Sequence, residues 1–272
     1  IRQHNPTDSV YRNYLNPNDI TIASTGDGAV VSMNPSKQLS TTAKLSFAPT
    51  SAMKFRYDAI YSNSDYKTYI HDLKYNPDAN YNRYEWGLLN SLELRHSVAE
   101  RTYYTLKGSY SINDYKRFLY PLLDASGNDA GYHAGIALDT ALFRPDPRYQ
   151  PDYKLNRPST YTFLSGGTYN DQYYQKSRSL GAKFDIASQA TKSHEARFGA
   201  EFRTHVLDYE SFDILRDSVT YLRPTIPGTG TAYHDSFTRK PMEFSAYLQD
   251  KMEYESLILN VGLRYDYFAS RS

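Results

Sequence analysis

Eight stretches of this chain alternate apolar and polar residues, most of them for about ten residues. Between Ala52 and Ser62, Met53, Phe55, Tyr57, Ala59 and Tyr61 share one face, and Lys54, Arg56, Asp58, Ile60 and Ser62 share the other. Between Leu257 and Phe268, Leu257, Leu259, Val261, Leu263, Tyr265 and Tyr267 oppose Asn260, Gly262, Arg264 and Asp266. A two-residue period belongs to a strand, not a helix. Eleven residues at ~3.3 Å each make a strand roughly 36 Å long, which crosses a layer of about 25 Å when tilted by ~45°. Strands of soluble proteins average about five or six residues.

The pattern predicts strands over about 41–48, 52–62, 87–97, 102–113, 178–187, 195–208, 241–252 and 256–268. Their connections alternate in length. Short ones fall near Pro49–Ser51, Ala99-Glu100, Gln189–Ser193 and Tyr254-Glu255, and long loops occupy 63–86, 114–177 and 209–240. Outer-membrane barrels have short turns on the periplasmic side and long loops outside the cell. The predicted fold is therefore all-β: an antiparallel transmembrane β-barrel wall, with apolar faces on lipid and polar faces on the lumen. Slipping the second strand by one residue would turn Lys54 and Arg56 to lipid, at roughly 4–8 kcal/mol for the two. A soluble β-sandwich with uneven loops is the competing reading, and the strict short–long alternation weighs against it.

Residues 1–40 read as an extracellular loop region marked by Asn5-Pro6, Asn16-Pro17 and Asn34-Pro35, with the barrel segment over 41–268. Within the loop region, Ile20–Ala23 and Ala29–Val31 flank Gly26-Asp27-Gly28 as a possible small hairpin. Strand parity places both ends of the chain on the long-loop side, and Phe268–Ser272 lacks the terminal aromatic of a finished outer-membrane chain. The expectation is a segment of about eight strands from a wider barrel.

Composition adds limits. The 272 residues carry a formal charge of +1, no cysteine, 28 tyrosines and one tryptophan. No run of 18 apolar residues is present, so no transmembrane helix is expected. Tyrosine suits strands and membrane–water interfaces, where the ring is buried and the hydroxyl stays wet. Without a basic run there is no case for nucleic acid, and without cysteine there are no thiolate metal sites. The first residues carry no signal-peptide pattern.

No catalytic signature is found: no Gly-x-Ser-x-Gly, no phosphate-binding loop and no His-Glu-x-x-His. His194-Glu195 lacks the second histidine. A hydrolytic site in a barrel would need Ser, His and an acidic or amide partner on one wall face, with His205 and His96 the histidines on or near strands. Asp124–Gly131 is a weak calcium-loop likeness, with Asp129 and Gly135 where an EF-hand needs Gly and Glu, and reads as an acidic turn. Neither enzymatic activity nor a metal or cofactor is expected.

Tyr247-Leu-Gln-Asp-Lys251 before a tight turn and Gly262-Leu-Arg-Tyr-Asp266 after it resemble the barrel of TonB-dependent outer-membrane receptors. His194–Arg203 is similar to an earlier strand of the same barrels. The likeness is greatest to the Bacteroidota-type branch that carries an additional N-terminal carboxypeptidase-regulatory-like domain. The resemblance implies a barrel of about 22 strands with a plug in its lumen, energised by a TonB complex, in the outer membrane of a Gram-negative bacterium. This chain shows neither the plug nor the TonB-contacting segment, so it would supply wall and loops.

Lumen-facing charges are expected at Arg56, Arg95, Lys107, Arg197, Glu201, Arg203 and Arg264, with Lys54, Asp58, Glu93, Lys183, Asp185 and Asp266 among them. They either contact plug or solute, or pair across strands and merely keep the lumen wet. Loop aromatics Tyr66, Tyr69, Tyr81, Tyr84, Trp86, Tyr169 and Tyr173 are the candidate ligand contacts. Tyr84, Trp86, Tyr173 and Tyr174 also suit an aromatic girdle, since they lie near predicted strand ends. The long 114–177 loop, with turn marks at Arg144–Pro147 and Ser165–Gly167, is too long for a passive connector. Three functions compete: uptake of a scarce large solute, with surface loops setting specificity; a barrel of the same lineage acting as a structural component or binding a surface lipoprotein or other protein without transport; and a soluble β-rich glycan-binding domain.

Overall fold

The computed structural model describes residues 10–12, 20–22, 30, 32–74, 77–121, 169–216 and 224–270. Its strands are β1 Val10–Arg12, β2 Ile20–Ile22, β3 Ser36–Thr50, β4 Met53–Tyr66, β5 Asn82–Ala99, β6 Thr102–Phe118, β7 Asp171–Gln189, β8 His194–Asp213, β9 Leu215–Arg216, β10 Pro224–Thr225, β11 His234–Arg239, β12 Met242–Tyr254 and β13 Leu257–Ala269.

The main sheet is antiparallel throughout, in the order β13-β12-β8-β7-β6-β5-β4-β3, with β11 also on β8. β11 and β12 lie on one line. Leu207 pairs with Arg239 and Thr204 with Met242, so the register runs unbroken across Lys240-Pro241. Pro241 interrupts the strand because it has no N–H, yet its carbonyl still accepts from His205 N at 2.9 Å. The wall thus has eight strand lines, with β3 and β13 as its two edges.

Within this wall the alternation sorts side chains cleanly. One face carries Leu45, Phe55, Leu94, Leu106, Phe184, Phe202, Phe244 and Leu263; the other carries Lys44, Arg56, Glu93, Lys107, Lys183, Glu201 and Asp266. The apolar face has no second layer among the described residues: Leu263 is 82% exposed and Phe202 40%. A sandwich would bury these side chains, so the soluble β-sandwich reading fails here.

The apolar belt is slanted. The row of paired residues through Ala43 passes Ala59, Asn90, Tyr110, Leu180, Thr204 and Met242 and ends at Ala269. The apolar run of β3 centres on Ala43, whereas that of β13 centres near Val261 and Leu263. The belt therefore slides by about one residue per strand. That is ~3.3 Å of slide against a strand spacing of ~4.8 Å, a tilt of about 35°, as in a barrel wall.

The strands outrun the alternating segments, so the three long loops are shorter than expected. Asn63–Tyr66, Asn82–Trp86, Asp114–Phe118, Asp171–Ser177, Tyr209–Asp213 and His234–Arg239 belong to the ladder. Likewise Ser36–Ser40, assigned to the 1–40 loop region, begins β3. Backbone pairing persists where the side-chain pattern stops, because outside hydrocarbon nothing forces one face to be apolar. The expected small hairpin is also corrected: Ile20–Ile22 pairs with Val10–Arg12. Three-residue strands carry too few side chains for alternation to select a partner. Asp124–Gly131, Arg144–Pro147 and Ser165–Gly167 lie outside the described residues.

Candidate functional site

On the polar face, a two-residue step returns each side chain to the same side of the sheet. Most charges use this step to pair within their own strand: Arg56 with Asp58 at 2.9 Å, Lys183 with Asp185 at 3.2 Å, Arg197 with Glu195 at 2.6 Å and Arg203 with Glu201 at 2.5 Å. Arg264 grips Asp266 through Nε and Nη2, the latter at 2.8 Å, and Lys251 pairs with Glu253. Exposed pairs of this kind contribute little to stability. Arg95 lies over the Tyr103 ring at 4.4 Å, and Lys107 makes no ion pair among the described residues. The Tyr247 ring covers Gly199, where any side chain would overlap it, and the Tyr247 hydroxyl donates to Asp185 at 2.9 Å.

Toward the long connections the same face turns aromatic. Register places Tyr66, Arg83 and Arg117 in one row with Tyr173, and Tyr115 and Tyr209 in the next with Phe237. Tyr173 sits edge-on to Tyr115 at 5.7 Å and to Tyr209 at 5.4 Å, and Tyr209 stacks on Phe237 at 4.8 Å. The Arg117 guanidinium lies 4.7 Å from the Tyr81 ring and 5.3 Å from the Tyr173 ring, and is held by Asp171 at 2.8 Å. Tyr81 stacks on Tyr169 at 4.5 Å, with Arg83 at 5.5 Å. Tyr81 is 9% exposed. Burial pushes its phenol far above its ordinary range, and its hydrogen bond to Asp171 pushes the same way.

Of the seven aromatics picked from the sequence, the structure joins Tyr81, Tyr169 and Tyr173 into this array and puts Tyr66 in its top row. Tyr69 stands apart, its hydroxyl 2.7 Å from His71 Nδ1. Tyr84 and Trp86 are on the opposite face, Tyr84 against Phe118 at 5.1 Å and Trp86 beside Lys176 at 6.0 Å. Tyr66, Tyr84, Trp86 and Tyr173 are strand residues, not loop residues. Arg83, Tyr115, Arg117, Tyr209 and Phe237 were missed. Parity carried two turns of the pleat beyond the alternating segment would have found Tyr115 and Arg117, since both share odd numbers with Lys107 on β6.

The opposite face at this height is covered. Phe118, Tyr120, Tyr174, Phe212 and Ile214 form a buried cluster, with Tyr84, Leu119 and Ile226 packed on it. Within it Tyr174 donates to Gln172 Oε1 and Gln172 Nε2 to Tyr120 O, each at 2.9 Å. His234, 3% exposed, spans Pro227 O at 2.7 Å and Glu210 Oε1 at 3.0 Å.

A Ser–His–carboxylate line does occur on the polar face. Ser179 Oγ is 2.7 Å from His205 Nδ1, and His205 Nε2 is 3.5 Å from Glu243 Oε1. It lies within the ladder, where the His205 amide is spent on Pro241 O. A hydrolase also needs free backbone or side-chain donors for the oxyanion.

The family described as "TonB dependent receptor-like, beta-barrel" matches residues 2–272. The chain belongs to that family. Among solved structures, the siderophore receptor PiuA from Acinetobacter baumannii superposes on this TonB-dependent receptor barrel with a TM-score of 0.50, over 86% of this chain at 13% identity. That likeness shows the fold, and the chain spans 36% of the length of PiuA. No curated protein matches in sequence. TonB-dependent receptors are outer-membrane proteins of Gram-negative bacteria, filled by a plug domain and coupled to TonB; the family is one of receptors and transporters, not an enzyme class.

Proposed function

We propose that this chain supplies wall and surface loops of a receptor that captures and imports a scarce large solute. The apolar face meets outer-membrane lipid, the polar face lines the lumen, and the long connections are extracellular. The charges at Arg56, Arg95, Lys107, Arg197, Glu201, Arg203 and Arg264 then lie along the lumen wall. The Bacteroidota-type branch remains our placement within the family, on Tyr247–Lys251 and Gly262–Asp266.

The capture reading rests on the unbroken run Tyr169, Tyr81, Arg117, Tyr173, Tyr209 and Phe237. It sits where the polar face opens toward the long connections. Ring faces and guanidinium planes stack on flat groups, while phenol hydroxyls and Arg83 and Arg117 offer donors to oxygen. This chemistry fits a polar solute with aromatic or sugar rings and acidic oxygens. Siderophores, the class named for PiuA, belong to that set.

Binding of a ferric-siderophore and glycan panel to the full-length receptor, read by intrinsic fluorescence quenching, tests the site. Arg117→Ala and Tyr173→Ala should each weaken the bound solute about tenfold, from roughly 1–2 kcal/mol of stacking and cation–π contact. Tyr84→Ala, on the opposite face, should leave affinity unchanged. Equal losses for all three variants would sink the assignment.

A further inference from the structure

The apolar face of β8, β12 and β13 carries one carboxylate. Its positions run in two-residue steps from His194 to Val206, from Met242 to Tyr254 and from Leu257 to Ala269. Every one is apolar, threonine or tyrosine except Asp250 and His194. Asp250 is directly opposite Val261, at the centre of the apolar run of β13. Met252 and Leu259 lie beyond it toward the short turn. Asp250 is therefore inside the belt and not at its margin. An ionisable side chain facing hydrocarbon is costly, and it marks contact with something other than lipid tails.

His194 satisfies only part of that carboxylate. Its Nδ1 lies 2.8 Å from Asp250 Oδ2, and the Tyr254 ring stands edge-on to the imidazole at 6.3 Å. Asp250 Oδ1 is enclosed and has no donor among the described residues. His194 Nε2 makes no hydrogen bond among them either. Both side chains remain 37% exposed on the bare face. An imidazolium donates from both nitrogens, and a carboxylate oxygen accepts more than one hydrogen bond. The pair thus presents a spare donor beside a spare acceptor.

The surroundings let a partner come close. Ala196 is directly opposite Asp250 and Ala200 opposite Ala246, with Phe198 and Leu248 between the two rows. Small residues allow membrane-embedded backbones to approach, and polar side chains then bond across the contact. A donor and an acceptor on one patch are self-complementary, as a twofold contact requires. A phospholipid ammonium sits at the headgroup level, whereas Asp250 lies within the belt. We propose that this face of β8 and β12 docks a second copy of the receptor. His194 Nε2 donates to Asp250 of the partner subunit, and the twofold axis repeats the bond. Two imidazoliums and two carboxylates then close a ring without net charge. This docking rests on the apolar face meeting lipid, as proposed above, but not on the aromatic capture site.

Disulfide trapping of the full-length receptor in outer-membrane vesicles tests this. Leu248→Cys places a thiol beside the axis, and mild oxidation should give a covalent dimer. Leu94→Cys, on the apolar face of β5, should give little. Adding Asp250→Leu to Leu248→Cys should cut the dimer about fivefold, the scale of a polar contact within a membrane. The heat-modifiable gel shift of the folded barrel should be retained. No dimer at Leu248→Cys, an equal yield at Leu94→Cys, or a yield that Asp250→Leu leaves unchanged would overturn the proposal. Native mass spectrometry of the unsubstituted receptor in lipid nanodiscs should show the dimer. A monomer holding a phospholipid that Asp250→Leu removes would assign the pair to a headgroup and also overturn it. Labelling of Leu94→Cys by a water-soluble maleimide would instead show that the lipid assignment itself fails.

Discussion

At the height of the apolar belt and at the height of the long connections, β6, β7 and β8 keep one ladder but face different surroundings. In the belt, Leu106, Phe184 and Phe202 sit on a bare apolar face and Lys107, Lys183 and Glu201 on the other. Higher on the same strands the roles change. The face continuous with the belt buries Phe118, Tyr174 and Phe212 beneath local chain, with Gln172, Glu210 and His234 enclosed among them. The charged face becomes aromatic. Backbone pairing is indifferent to the change, so what a face carries reports its solvent and not its secondary structure. Hydrocarbon imposes alternation; a covered collar imposes side-chain packing instead.

The comparison can be broken most strongly in the collar. Phe212→Ala should cost about 3–5 kcal/mol locally, the usual range for truncating a buried phenylalanine. Hydrogen exchange should then show lost protection over Leu207–Asp213 while the belt segments of β8 stay protected. A uniform loss along β8 would mean that collar and belt form one cooperative unit.

The belt has its own probe. Phe202→Arg, near the middle of the apolar run of β8, should cost roughly 2–4 kcal/mol, as a cation does at the bilayer midplane. Urea titration of the barrel folded into lipid vesicles measures it. The same change at Leu207, on the opposite parity of β8, should be nearly silent, and an equal cost there would refute the assignment of faces.

The smallest expected effect concerns pH. Tyr81 has its folded pKa raised by burial and by Asp171. Its contribution to folding is therefore complete below the ordinary phenol value of about 10 and declines as pH rises beyond it toward the folded value. Exchange protection in the Tyr81–Tyr169 region should weaken above about pH 10 in the native receptor but not in Tyr81→Phe. Identical behaviour of the two proteins would remove Tyr81 from the account.

The same contrast explains what was legible in the sequence. The fold class could be read because hydrocarbon makes every second residue of a belt strand apolar, as in Met53–Tyr61 and Leu257–Tyr267, whereas the family rested on the resemblance at Tyr247–Lys251 and Gly262–Asp266. Asp114–Phe118 and Asp171–Ser177 gave no such signal, with charged or polar residues on both parities, so they passed for loop although they are paired. The aromatic array suffered from the same blindness. Tyr81 and Tyr169 stood out as loop aromatics, but Arg117 and Tyr209 look unremarkable until register aligns them with Tyr173. Tyr84 and Trp86 were chosen on composition, and parity assigns them elsewhere. The contact of His194 with Asp250 could not be seen at all, because 56 positions separate its members in the chain.

The slant of the apolar belt has a consequence for assembly. Each newcomer at either margin of the wall must seat its greasy run about one residue offset from its neighbour's. A docking error of a single step exposes the wrong parity to lipid along the whole length of the newcomer. The wall therefore proofreads the vertical placement of whatever joins it, with the membrane itself as the gauge.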